Sequence, residues 1–64
     1  MIYENVKRLC DKLGIPIYQL EARAGLGNGT IGRWKEQNPK IQTLKKVADV
    51  LGVTVDSLIT EEGA

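Results

Sequence analysis

Asn28 and Arg33 stand close together in the stretch Gly27-Asn28-Gly29-Thr30-Ile31-Gly32-Arg33-Trp34, and both carry planar side chains with several hydrogen-bonding atoms. An asparagine amide matches the N6/N7 edge of adenine, and an arginine fork matches O6/N7 of guanine. Each good bidentate pair is worth about 1–3 kcal/mol of discrimination between bases. An α-helix over this stretch would turn Asn28, Gly29, Gly32, Arg33 and Glu36 to one side, Ile31 and Trp34 to the other, and leave Thr30 at the boundary. Gly29 and Gly32 would each cost such a helix roughly 0.8–1.0 kcal/mol relative to alanine. Close approach of another surface to the backbone explains that cost, and the floor of a DNA major groove is one such surface.

Other groups point the same way. Backbone amides around Gly27, Asn28 and Gly29, and at the start of a second helix near Ile17 and Tyr18, are placed to meet phosphate. Tyr18 is either a phosphate donor or a half-buried ring. Lys35 and Lys40 bracket the Asn38-Pro39 turn and, with Asn38, are candidate phosphate contacts, simple solvation being the alternative for each lysine. The net charge is only +1, but it is unevenly spread. Residues 22–46 hold six basic groups (Arg23, Arg33, Lys35, Lys40, Lys45, Lys46) against Glu36 alone. Residues 47–64 hold no basic group and four acidic ones, Asp49, Asp56, Glu61 and Glu62. A basic middle facing phosphate with an acidic end turned away accounts for this division.

Catalysis has little to work with. The chain has no histidine and one cysteine, Cys10. The usual general base, the usual zinc ligand, a nucleophile–histidine pair and an intramolecular disulfide are all missing from its composition. No cofactor, metal or small-molecule ligand is expected, and the chain is read as a non-enzyme.

The elements that must position these groups are helical throughout, and the fold class is all-α. Ile2, Val6, Leu9 and Leu13 recur at helical spacing, predicting a helix over 2–13 that Gly14 closes in the left-handed conformation. Cys10 lies beside that stripe as a small, inert hydrophobe. Pro16 fits the opening of a second helix over 16–24, with Ile17, Leu20 and Ala24 inward. Gly25 breaks it sharply and Leu26 returns an apolar side chain to the core. A third helix is predicted over 28–37, ended by Asn38-Pro39. A fourth, over 41–51, faces Ile41, Leu44, Val47, Ala48 and Leu51 inward and is capped by Gly52. Thr54 is a good N-cap for a fifth, over 55–60, carrying Val55, Leu58 and Ile59. The tail 61–64 is expected to fray. Sixty-four residues make one domain, 1–64, whose core buries only about 60% of the unfolded surface.

Helix, glycine turn and helix across 16–37 form a helix-turn-helix unit. The chain resembles the lambdoid phage repressor and Cro family, of the XRE type, over about residues 4–60. The matching pieces are Leu20, Ala24-Gly25-Leu26, Thr30-Ile31 with Arg33-Trp34, Leu44 to Asp49 with Leu51-Gly52-Val53, and Val55 to Ile59. The segments Ile17 to Glu21 and Gly27 to Trp34 resemble those of small regulators from Gram-positive bacteria and their prophages. The resemblance implies a compact five-helix fold, binding of double-stranded DNA as a dimer, and regulation of transcription. By position it places Gly27, Asn28, Gly29 and Arg33 among base-contacting residues and Lys40 in a phosphate-contacting loop. Ile17 departs from the glutamine common at that position, which clamps a phosphate.

The function expected from the sequence is therefore that of a sequence-specific regulator, a repressor that inserts its third helix into the major groove. The alternative is a protein-interaction module on the same scaffold, such as an antitoxin or an anti-repressor partner. A homodimer is expected from the apolar Val55, Leu58 and Ile59. No apolar run is long enough to span a membrane and the first residues lack a secretory core, so the expected compartment is the cytoplasm.

Overall fold

The computed structural model describes residues 2–60, so the expectation for the tail 61–64 lies outside them. Helices joined by short turns and loops make up the described residues, with no strand among them. Helix α1 spans Ile2–Leu13, α2 Ile17–Arg23, α3 Ile41–Leu51 and α4 Val55–Ile59. Between α2 and α3 lies a short 3₁₀ helix, Ile31–Lys35.

Three of the helices end in the same way. Gly14, Gly25 and Gly52 adopt φ of 71°, 72° and 72°, and the next residue's amide turns back to a carbonyl five positions earlier. Ile15 donates to Cys10 at 2.9 Å, Leu26 to Glu21 at 2.8 Å, and Val53 to Ala48 at 3.0 Å. This closure satisfies carbonyls that a helix end otherwise leaves open. It also drops Ile15, Leu26 and Val53 against the core. The patterns Leu-Gly-Ile, Ala-Gly-Leu and Leu-Gly-Val thus stop each helix and fold the chain over in one step. At the other end, Thr54 caps α4 as expected: its hydroxyl accepts the Ser57 amide at 3.2 Å, and the Ser57 hydroxyl donates to the Thr54 carbonyl at 2.7 Å.

The core gathers one side chain or more from every element: Val6 and Cys10, Leu20 and Ala24, Ile31 and Trp34, Leu44, Val47, Ala48 and Leu51, and Leu58. Two polar side chains, Asn5 and Glu21, are buried with them. Helix α1 lies against α2, the 3₁₀ helix and α4, while α3 lies against α2 and α4.

The third helix differs from the sequence expectation. In place of an α-helix over 28–37, residues 28–30 form a turn and the helix that follows is 3₁₀. Thr30 donates to Gly27, Arg33 to Thr30 and Glu36 to Arg33, each bond spanning three residues. Gly29, at φ 86°, stands outside the right-handed helical region, so no α-helix can run through it. Pro16 is the N-cap of α2, at φ −66° and ψ 150°, and the first helical residue is Ile17. Leu13 and Ile41, expected inward, are 51% and 54% exposed. Each is a terminal residue of its helix and stands outside the set of side chains packed on the core.

Candidate nucleic-acid interface

The sidedness expected of residues 28–36 survives the change of helix type. In a 3₁₀ helix residues three apart eclipse one another, so Ile31 and Trp34 share one face and both are buried. Asn28, Gly29, Gly32, Arg33 and Glu36 are exposed, and Thr30 is half-buried at the helix N-cap. The two anchors therefore hold the segment by its inner face and leave Asn28 and Arg33 in solvent.

The glycines of this segment have different causes. Gly29 is required by its own backbone angle. Gly32 has ordinary φ, and a Cβ built on it would meet nothing within 4 Å. A Cβ on Gly27 would lie 3.4 Å from the Thr30 hydroxyl. Nothing within the described protein thus demands a glycine at position 32.

Behind the segment lies a contact that the sequence did not announce. The Glu21 side chain, on α2, is only 3% exposed. One of its carboxylate oxygens accepts the Gly29 amide at 3.2 Å, and the other accepts the Ile31 amide at 2.9 Å. The 3₁₀ helix has no side-chain cap of its own from Thr30, and α2 supplies one across the turn. A signal was present: Ile17, Leu20, Glu21 and Ala24 sit at i, i+3, i+4 and i+7, which makes Glu21 part of the inward stripe.

The phosphate candidates separate. Tyr18 is 69% exposed, which removes the half-buried alternative for its ring. Ile17 packs partly against the core and leaves its amide, with that of Tyr18, ahead of Gln19 and Leu20, the first amides to bond back to the Pro16 carbonyl. Asn38 and Lys40 are exposed on the link to α3, Lys40 as its N-cap. Lys35 is exposed, but its ammonium stands 5.0 Å from the centre of the Tyr3 ring on α1, a cation–π geometry. Arg23, Lys45 and Lys46 are exposed as well, so all six basic groups of the middle section face solvent.

Among the described residues no group of three or more histidine, cysteine or acidic side chains is placed to hold a metal ion. Burial, and then the neighbouring Asp11, push the Cys10 thiol above its usual range and keep it protonated. No helix among the described residues is long and apolar enough to cross a membrane.

With this geometry in view, the comparison with known families is decisive. Residues 6–58 match the helix-turn-helix family. The chain belongs to the XRE-type helix-turn-helix proteins. No curated protein and no solved structure matches it. The family is one of DNA-binding regulators, generally without enzymatic activity, and this helix-turn-helix protein is a double-stranded DNA-binding regulator of that type. The helix-turn-helix is α2, the turn from Ala24 to Thr30, and the 3₁₀ helix.

Proposed function

We propose that this helix-turn-helix protein is a repressor that binds a short duplex site as a homodimer, occluding a promoter with residues 27–35 in the major groove. The observation that carries the proposal is the two-sided 3₁₀ segment, with Ile31 and Trp34 held in the core while Asn28 and Arg33 stand in solvent. The 3₁₀ helix, anchored by its inner face, leaves its outer face open to a major groove about 12 Å wide. Asn28 and Arg33 take the base edges. Tyr18, Asn38, Lys40 and the amides of Ile17 and Gly27 take phosphates, the Gly29 amide being already engaged by Glu21, with Thr30 at the edge of the contact. Lys35, drawn toward Tyr3, contributes less. In the homodimer Leu58 is used up in the core, and Ile59, 45% exposed, supplies the apolar contact with Val55 beside it. A two-fold pair sets the reading segments one DNA turn apart, about 34–36 Å.

Selection of bound sites from random duplexes tests this, with Arg33→Ala alongside the wild type. An inverted repeat that relaxes at one position per half-site in the variant is the expected result. Recovery of unenriched DNA at every salt concentration would overturn it and favour a protein partner.

A further inference from the structure

We infer that Glu21 is the positioning residue of the DNA-reading segment: its buried carboxylate fixes the backbone on both sides of Thr30 and thereby aims Asn28 and Arg33. The inference rests on the proposed role of those two side chains as base readers.

Residues 27–32 contain three glycines, and glycine loses more freedom on ordering than any other residue. Left to itself such a segment samples many backbones, and a side chain on it points in many directions. Its inner face is tied by Ile31 and Trp34, both downstream of Gly29. Upstream, Asn28 sits between two glycines and is exposed. The Glu21 carboxylate meets this weakness directly. It takes the amide of Gly29, the residue after Asn28, at 3.2 Å. It also takes the amide of Ile31, two residues before Arg33, at 2.9 Å.

The choice of an acid at this place is otherwise unfavourable. A carboxylate behind a phosphate-facing surface repels the ligand, and burying it costs free energy unless its oxygens are satisfied. A neutral apolar side chain at position 21 would fill the same inward site on α2 without repulsion. It could not accept two diverging amides. A carboxylate has one oxygen for each, and hydrogen bonds to a charged acceptor are stronger than those between neutral groups. A five-residue 3₁₀ helix is too short to hold itself in water, so the cap from α2 helps to decide where it forms.

The test needs the intact protein and two readouts. In the wild type, hydrogen exchange should show the Gly29 and Ile31 amides protected well beyond the flanking Asn28 and Gly32. Exchange of both as fast as an open loop overturns the inference without any variant. Glu21→Gln keeps the volume, retains one acceptor oxygen and turns a donor toward the other amide. It is expected to release that amide and to lower affinity for the selected site about tenfold, or about 1.4 kcal/mol, while affinity for random duplex stays level or rises. A merely structural role predicts an equal loss on both DNAs, in step with the folded fraction, and that result also overturns the inference. Arg33→Ala separates the two proposals. Relaxed specificity in Arg33→Ala with full specificity in Glu21→Gln leaves the base-reading role intact and removes the positioning role. A wild type with no preferred site removes both.

Discussion

The side chain of Asn5, on α1, donates to the carbonyl of Leu58 at 2.9 Å, a bond joining residues 53 apart in sequence. Its second amide hydrogen goes to the Thr60 carbonyl at 2.7 Å. The side-chain oxygen accepts from the Arg8 guanidinium at 3.4 Å. A single buried amide therefore ties the first helix to the last turn of α4, on the carbonyls that a helix C-terminus leaves open. Asn5→Ala strands both carbonyls and is expected to lower stability by about 1–3 kcal/mol, with a fall in Tm of about 4–8 °C per kcal/mol for a domain of this size. Exchange at the α4 amides should quicken before that of Val47 or Leu20. Uniform quickening through the whole core would argue against a local tie.

Gly29 and Gly32 should respond to alanine with opposite signs. At Gly29, φ of 86° strains any residue with a Cβ, so Gly29→Ala is expected to destabilise by about 1–2 kcal/mol. At Gly32 a Cβ meets open space, so Gly32→Ala should stabilise the free protein by up to about 1 kcal/mol. Its affinity for the selected site should nevertheless fall, because the added methyl group occupies room the groove needs. Urea unfolding and binding to one duplex check the two halves. A Gly32→Ala protein that is more stable and binds as well would remove the close approach.

These cases also show what the sequence could carry. The boundaries of α1 and α3, the glycine closures and the buried Ile31 and Trp34 follow from apolar spacing and from residue types with narrow backbone preferences. Each is local information. Asn5 and Glu21 lie at inward positions of their stripes, but their partners stand on other elements, and only the assembled fold says whether a buried polar group is satisfied. The helix type at 31–35 was hidden for another reason: an apolar pair three apart is common to α and 3₁₀ periods, and the left-handed angle of Gly29 is not visible in its letter. The place of Lys35 over Tyr3 depends on how α1 crosses the 3₁₀ helix, which no spacing encodes.

Cys10 gives the fold a dependence on alkaline pH. Its pKa is raised in the folded protein, chiefly by burial and further by Asp11. Above about pH 8.5 the unfolded thiol gives up its proton while the folded thiol retains it. The folded state then binds more protons, so stability falls as pH rises, by at most about 1.4 kcal/mol per pH unit from this group. Below pH 8 the thiol contributes no slope. Cys10→Ala starts from a lower stability because of the lost packing, and its curve should descend less steeply between pH 8 and 10. Parallel curves for the two proteins would mean that the thiol titrates alike folded and unfolded.

Arg33, Lys40 and Lys35 are expected to fail in three distinguishable ways. Arg33→Ala removes a base contact: about 1–3 kcal/mol of preference at one position of each half-site, with loss of discrimination there. Lys40 is exposed at the N-cap of α3, and as a phosphate contact its removal weakens all sequences alike. Lys40→Ala should also flatten the dependence of log K on log salt by about 1 for each site it contacts. Lys35, with its ammonium 5.0 Å from the Tyr3 ring centre, acts first on the fold. Lys35→Ala should cost about 0.5–1 kcal/mol of stability and change the salt slope less than Lys40→Ala does. Tyr3→Leu should reproduce the stability loss, and adding Lys35→Ala to it should cost little more, since a pair in contact is not additive. Equal salt slopes for the Lys35 and Lys40 variants would show that Lys35 leaves the tyrosine ring for phosphate when DNA binds.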